Sequence, residues 1–127
     1  MKLIVTIVIS VFFSLGINQN IPFDEISKAF SSQDAGKVMS YAKEKVLINI
    51  LGDEGVYGGS QGSQVLKNFF NSNPCESFNF NFKGKETSSH SYAIGKYQSK
   101  NKSFKISIKL KKEQSSFKIE SIQIDNY

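Results

Sequence analysis

Alternating apolar and polar residues dominate the second half of the chain and predict β-strands. Residues 104–110 alternate phenylalanine, isoleucine or leucine with lysine and serine, which is the period of a strand with one buried face. Residues 78–82 alternate phenylalanine with asparagine, and residues 92–97 form a further strand segment. In residues 117–124 the apolar phase slips, and one extra residue near Glu120-Ser121, a β-bulge, would restore it. Because a bulge bends a sheet, we expect a curved antiparallel meander.

The chain before this meander shows the helical period instead. Apolar residues recur at helical spacing over residues 21–30 and 35–42, which predicts two short amphipathic helices. Pro22 suits the first turn of the first helix. Ser32 or Asp34 can cap the second helix.

Between these regions the sequence predicts strand, turn, strand and helix. Val46–Leu51 is nearly all apolar and reads as a buried strand. Glycines and acids over residues 52–55 predict a turn, and residues 56–59 a short second strand. Ser60 can cap a third helix over Gln61–Asn71. The expected fold is therefore α+β, with helices packed in the hollow of a curved sheet and a pocket between them.

The N-terminal segment, residues 1–20, has the pattern of a secretory signal peptide. Lys2 precedes a largely apolar run over residues 3–15, and small residues allow cleavage after Gly16 or a few residues later. This predicts export to the periplasm or the extracellular space, with one domain over residues 21–127. A retained N-terminal anchor is the alternative, since the cleavage site lacks the usual alanine pair.

Charge and composition narrow the classes of partner. The 127-residue chain has a net charge of +5, and its 16 basic residues are all lysine. Without the planar fork of arginine, nucleic-acid binding is not expected. Lysines concentrate between Lys83 and Lys118, which reads either as a solvated sheet face or as a surface for anionic envelope components through Lys96–Lys112.

Several short motifs, taken together, resemble a family of small exported bacterial proteins known only as a domain of unknown function (DUF4783 type). This family lies within the nuclear transport factor 2-like superfamily. The matching residues are Glu54-Gly55-Val56-Tyr57, Gln64 with Leu66–Phe70, Asn73-Pro74 with Ser77-Phe78, Tyr92–Gly95 with Tyr97, Leu110-Lys111-Lys112, and Ile119 with Ile122 and Ile124.

The resemblance spans nearly the whole chain after the leader. It implies a cone-shaped, cystatin-like α+β fold with a mixed or mostly antiparallel sheet, and it implies no activity. Gly58-Gly59 and Gly62 depart from the polar or small residues usual in the family, which suggests a looser start of the third helix.

Enzymes of this superfamily, of the ketosteroid isomerase and polyketide cyclase types, need a carboxylate base in an apolar pocket. The acids of this chain fall mainly in predicted turns, caps and chain ends, and Glu120 falls at the predicted bulge. His90 lies in a serine-rich turn and Cys75 has no evident base. We therefore predict no catalytic residues, no metal and no cofactor, with such an enzyme as the alternative.

The aromatic residues supply the candidate binding site. If a hollow remains between the third helix and the sheet, aromatic walls suit a small apolar or amphipathic ligand. The expected function is thus that of a non-enzymatic exported domain binding such a ligand or a protein partner. A homodimer is possible, although like charges on Lys105, Lys109 and Lys111 oppose pairing through that strand. The candidate pocket residues are Tyr57, Leu66, Phe69, Phe70, Phe80 and Tyr92.

Overall fold

In the computed structural model the described residues are 21–84, 87 and 89–127, and within them three helices pack on one face of a six-stranded sheet. The predicted signal peptide, residues 1–20, lies outside the described residues. We call the sheet face that meets the helices the inner face, and the opposite one the outer face. The elements are α1 (Phe23–Ser31), α2 (Ala35–Ser40), β1 (Ala42–Ile50), β2 (Asp53–Tyr57), α3 (Gly59–Ser72), β3 (Ser77–Lys83), β4 (His90–Gln98), β5 (Ser103–Glu113) and β6 (Ser116–Asn126).

The strand order is β2-β1-β6-β5-β4-β3, and the sheet is antiparallel except between β1 and β6, which run parallel. The predicted α+β fold with a curved, mostly antiparallel sheet is confirmed. Through this parallel pair the last strand of the chain lies beside the first. The edges of the sheet are β2 and β3.

The predicted bulge in the last strand is present. Lys109 pairs with Ser121 and Leu110 with Ile119, which leaves Glu120 as the extra residue. This insertion brings Ile119 into phase with the isoleucines that follow it, so that they are buried on one face. The Lys43 ammonium lies 3.9 Å from the Glu120 carboxylate, which ties the bulge to β1.

A second bulge was not predicted and changes the position of Phe82. Phe80 pairs with Gly95 but Phe82 pairs with Ile94, so Asn81 is inserted between them. The insertion turns Phe82 to the outer face, where it is 49% exposed. The prediction that Phe82 continues the buried alternation is therefore wrong.

Two predicted boundaries also differ from the structure. The second helix ends at Ser40 rather than Ala42, and β1 begins at Ala42 rather than Val46. The reason lies far along the chain, since the Tyr41 carbonyl accepts a hydrogen bond from the Ile119 N–H at 2.8 Å. This bond draws the backbone after α2 directly into the sheet.

The hairpin before α3 is shifted by several residues relative to the prediction. Its turn is Leu51-Gly52, and residues 53–57 form β2, where the sequence predicted a turn over 52–55 and a strand over 56–59. The predicted Ser60 cap is not used, because α3 begins at Gly59 with Gly58 as N-cap and no side-chain cap.

Candidate functional site

The space between α3 and the sheet is filled by aromatic rings. The Phe69 ring centroid lies 5.4 Å from that of Tyr97 and 5.1 Å from that of Phe104. Phe70 stacks on Tyr97 at 6.0 Å with the two rings 16° from parallel. Leu66 is buried in the same cluster. Three of the predicted pocket residues, Leu66, Phe69 and Phe70, therefore contribute mainly to the core.

The structure does not bring the six predicted pocket residues together. Phe80 is half-buried under α1, with its ring 5.8 Å from Phe23 and 5.0 Å from Phe78. Tyr92 lies on the outer face, 46% exposed, with its ring 5.6 Å from Phe82. Tyr92 cannot line a pocket on the helix side of the sheet, and that part of the prediction is corrected.

A groove runs between α3 and the β1–β2 hairpin, and two of the predicted residues, Tyr57 and Phe69, line it. We call it the hairpin groove. Its volume of about 410 Å³ lies within the range of small-molecule sites. Apolar side chains and a few polar groups form its wall: Ile50, Leu51, Asp53, Tyr57, Val65, Asn68, Phe69, Ser72 and Asn73.

The turn at one side of this groove has an unusual backbone. Leu51 and Gly52 have φ angles of 54° and 93°, the positive values found in type I′ hairpin turns. Glycine adopts such angles freely, whereas leucine adopts them rarely. The Asn49 side-chain oxygen accepts from the Gly52 N–H at 2.9 Å, and the Ile124 carbonyl accepts from the Leu51 N–H at 2.8 Å. These bonds hold the Leu51 side chain at the groove with 49% of its surface exposed.

Tyr97 holds in place the backbone of Asn73, which lines the hairpin groove at the end away from the turn. Its hydroxyl donates to the Asn73 carbonyl at 2.6 Å. Burial raises the pKa of Tyr97 above its ordinary value of 10, and the nearby Cys75 adds to the rise. The pKa of the Cys75 thiol is raised as well, chiefly by burial. Since a reactive thiol needs a lowered pKa, Cys75 has the character of a structural cysteine.

In the part of the chain that the structure describes, the remaining polar and titratable groups lie mostly at the surface. Its buried polar side chains are Ser91 and Ser99, and its carboxylates are all exposed or half-buried. The exposed His90 ring contacts the Ser89 hydroxyl at 2.9 Å. Among the same residues no cluster of three histidines, cysteines or acids could hold a metal ion.

A larger groove of about 580 Å³ lies between the α1–α2 turn and α3. Apart from Ala35, its lining is polar or glycine, and Asp34, Gln64 and Lys67 are exposed. Without apolar walls it offers little surface that a ligand could remove from water. The hairpin groove is therefore the better candidate site despite its smaller volume.

None of the helices within the described residues is long and apolar enough to cross a membrane. No curated protein sequence matches the chain.

Solved structures with the same fold include close structural relatives from Bacteroides. A DUF4783 family protein from Bacteroides ovatus ATCC 8483 is similar with a TM-score of 0.79 and 27% identity, covering 87% of this chain and 98% of that chain. One from Bacteroides fragilis YCH46 has a TM-score of 0.77 and 28% identity, covering 85% of this chain and all of that chain (100%).

A ketosteroid isomerase-like protein from Erwinia carotovora atroseptica SCRI1043 has a TM-score of 0.65 and 11% identity, covering 80% of this chain and 88% of that chain. At this identity the likeness shows the fold alone. Solved structures of the cystatin-like and nuclear transport factor 2 types share this fold at TM-scores of 0.65 and 0.61, which confirms the predicted nuclear transport factor 2-like, cystatin-like fold. The family model described as Domain of unknown function (DUF4783) matches residues 23–125, and the chain belongs to that family.

Proposed function

We propose that this protein is an exported, non-enzymatic domain that binds a small amphipathic molecule in the hairpin groove. Export rests on the signal-peptide pattern of residues 1–20. Binding rests on a groove of suitable size whose wall combines apolar side chains with Asp53, Asn68 and Asn73. The apolar part would cover the body of a ligand, and the polar groups would orient its head.

The observation that carries this proposal is the exposed Leu51 side chain at a positive φ angle. A left-handed conformation costs roughly 1–2 kcal/mol for an L-residue other than glycine. Glycine or asparagine would form this turn more easily, but neither would place an apolar side chain at the groove. Local strain of this kind concentrates at ligand-binding sites. A ligand that covers Leu51 would remove the exposed part of its surface from water.

An isomerase or cyclase of the superfamily type is the alternative, and the solvent exposure of the acids speaks against it. Such an enzyme needs a carboxylate whose pKa is adjusted by an apolar pocket. The acid that lines the hairpin groove, Asp53, is exposed. The groove therefore supports recognition rather than proton transfer.

The test is native mass spectrometry of the full protein purified from the host that exports it. We expect a co-purifying small molecule, whose mass would give its class, and the same spectrum would distinguish a monomer from the homodimer that the sequence left open. Leu51→Asn should weaken the affinity for the ligand about fivefold and so lower the bound fraction, because half of a leucine side chain contributes about 1 kcal/mol of burial. Asparagine tolerates the positive φ angle, so the turn should persist.

The matched control is Val56→Asn, which removes an apolar side chain that is 63% exposed and is not part of the groove lining. This variant should bind as the wild type does. A bare polypeptide mass for the wild type, or equal loss of ligand in both variants, would contradict binding in the hairpin groove.

A further inference from the structure

The outer face of the sheet carries lysines that stand opposite one another on neighbouring strands. Lys96 on β4 pairs with Lys105 on β5, and Lys111 on β5 pairs with Lys118 on β6. Lys109 lies between these two pairs along β5. Like charges directly opposite each other destabilise a sheet. The chain places two such pairs on one face, so their repulsion would be relieved by an anion bound outside the protein.

Few carboxylates offset these lysines. Asp125 on β6 pairs directly with Lys105 on β5. At the end of the β5–β6 hairpin, Glu113 and Glu120 lie 3.8 and 3.9 Å from the ammonium of Lys43. Across the described residues, the ion pairs within 4.0 Å are these two. Within the described residues, no ion pair of 4.0 Å or less neutralises Lys96, Lys105, Lys109 or Lys111, and the Lys96 ammonium lies over the Tyr127 ring at 5.0 Å.

Exposed aromatic rings lie beside these lysines. Tyr92 pairs directly with Lys109, and the rings of Tyr92 and Phe82 are 5.6 Å apart. Both are about half exposed, although large apolar side chains at the surface are normally covered by a partner when they cluster. Ile94, which pairs with Phe82, is half-buried on the same face. The outer face therefore combines positive charge with an apolar patch.

We propose that the outer face docks on a phospholipid surface that carries anionic headgroups. A soluble polyanion would engage the lysines but would leave Phe82 and Tyr92 in water. A bilayer interface offers phosphates to the lysines and accommodates aromatic rings at the level of the headgroups. This inference is independent of the hairpin groove, which lies on the opposite side of the sheet.

The experiment measures sedimentation of the full chain with vesicles of phosphatidylglycerol and phosphatidylcholine in equal amounts. Vesicles of phosphatidylcholine alone report any contribution of residues 1–20, which is common to all variants. Each lysine near an anionic surface strengthens binding about fivefold, so the combined change of Lys105, Lys109 and Lys111 to Gln should weaken it about 100-fold. Added salt should weaken the binding of the wild type.

The matched control changes Lys28, Lys37 and Lys67 to Gln, which removes the same charge from exposed positions on α1, α2 and α3. It should lose only a few-fold in binding, through the lower net charge alone. Equal losses in the two triple variants would overturn the proposal, since binding would then depend on net charge and not on the outer face.

A second variant, Phe82→Ser with Tyr92→Ser, separates a bilayer from a soluble polyanion. Binding to the anionic vesicles should fall about 30-fold when both half-exposed rings are removed, by the apolar area that they would bury. Binding to inorganic polyphosphate, a soluble polyanion, should not change. If polyphosphate binds the wild type tightly and vesicle binding does not depend on the two rings, the partner is a soluble polymer and the proposal of a lipid surface is wrong.

Discussion

Two buried serines, one near the start of β4 and one just after its end, provide a direct test of hydrogen bonding inside the fold. Ser91 is 2% exposed and Ser99 is 5% exposed. Ser99 donates its hydroxyl to the Pro74 carbonyl at 2.8 Å. In the part of the chain that the structure describes, the Ser91 hydroxyl is buried without a hydrogen-bond partner. The same substitution to alanine should therefore have opposite effects at the two positions.

The expected magnitudes follow from hydrogen-bond energetics. An unsatisfied buried polar group costs about 1–3 kcal/mol, so Ser91→Ala should raise the free energy of unfolding by about 1 kcal/mol or more. Ser99→Ala removes a made hydrogen bond and leaves the Pro74 carbonyl without its partner. It should lower the free energy of unfolding by about 1–2 kcal/mol. The two variants should thus differ by at least about 2 kcal/mol.

Urea unfolding followed by far-ultraviolet circular dichroism measures both changes. In a domain of about 100 residues each kcal/mol also shifts the melting temperature by about 4–8 °C, which gives a second measurement. Ser107→Ala, at a half-buried position on the outer face of β5, calibrates the effect of the substitution on strand propensity. If Ser91→Ala destabilises the protein as much as Ser99→Ala does, the Ser91 hydroxyl has a partner and the reasoning is refuted.

Two further predictions concern Gln33, in the turn between α1 and α2, and Tyr97 on β4. Gln33 accepts from the Cys75 N–H at 3.0 Å and donates to the Phe70 carbonyl at 3.4 Å. Gln33→Glu keeps only the acceptor, so it should lower the free energy of unfolding by about 1 kcal/mol and with it the urea midpoint. An unchanged midpoint would show that the Phe70 bond contributes nothing. The raised pKa of Tyr97 means that the folded state holds this proton after the unfolded state has lost it, so stability should fall as pH rises above 10. Tyr97→Phe should reduce that slope between pH 10 and about pH 12, and an identical slope in both proteins would contradict the assignment.

Some of the fold could be predicted because the sequence pattern itself carries the signal. The bulge at Glu120 follows from a change of phase among isoleucines, all of which must reach the same core. The bulge at Asn81 has no such signal, since phenylalanine and asparagine continue to alternate through it. It lies next to Gly95 of the neighbouring strand, against which the Phe78 ring packs, and such a contact across the sheet cannot be read from the local pattern.

The candidate site could be predicted only in part, for a related reason. Tyr57 and Phe69 were identified from the aromatic pattern, and both line the hairpin groove. Leu51 was assigned to the end of a buried strand, because nothing local indicates a positive φ angle at leucine. That angle depends on the Asn49 side chain and on the carbonyl of Ile124, which is distant in sequence.

The inner face of β4 explains why the expected central pocket is closed. Its inward positions include Ser91, Ala93 and Gly95, whereas the larger Tyr92 and Ile94 point outward. Hydrophobicity alone would therefore predict that Tyr92 and Ile94 face the core. Because these inward residues are small, the phenylalanine rings pack directly against the backbone of β4. A Cβ atom at Gly95, for example, would overlap the Phe78 ring. The rings then occupy the volume that a ligand would need under α3. Because these rings occupy the centre, we expect a ligand on the helix side of the sheet to bind at the rim, where the hairpin turn holds Leu51 beside α3.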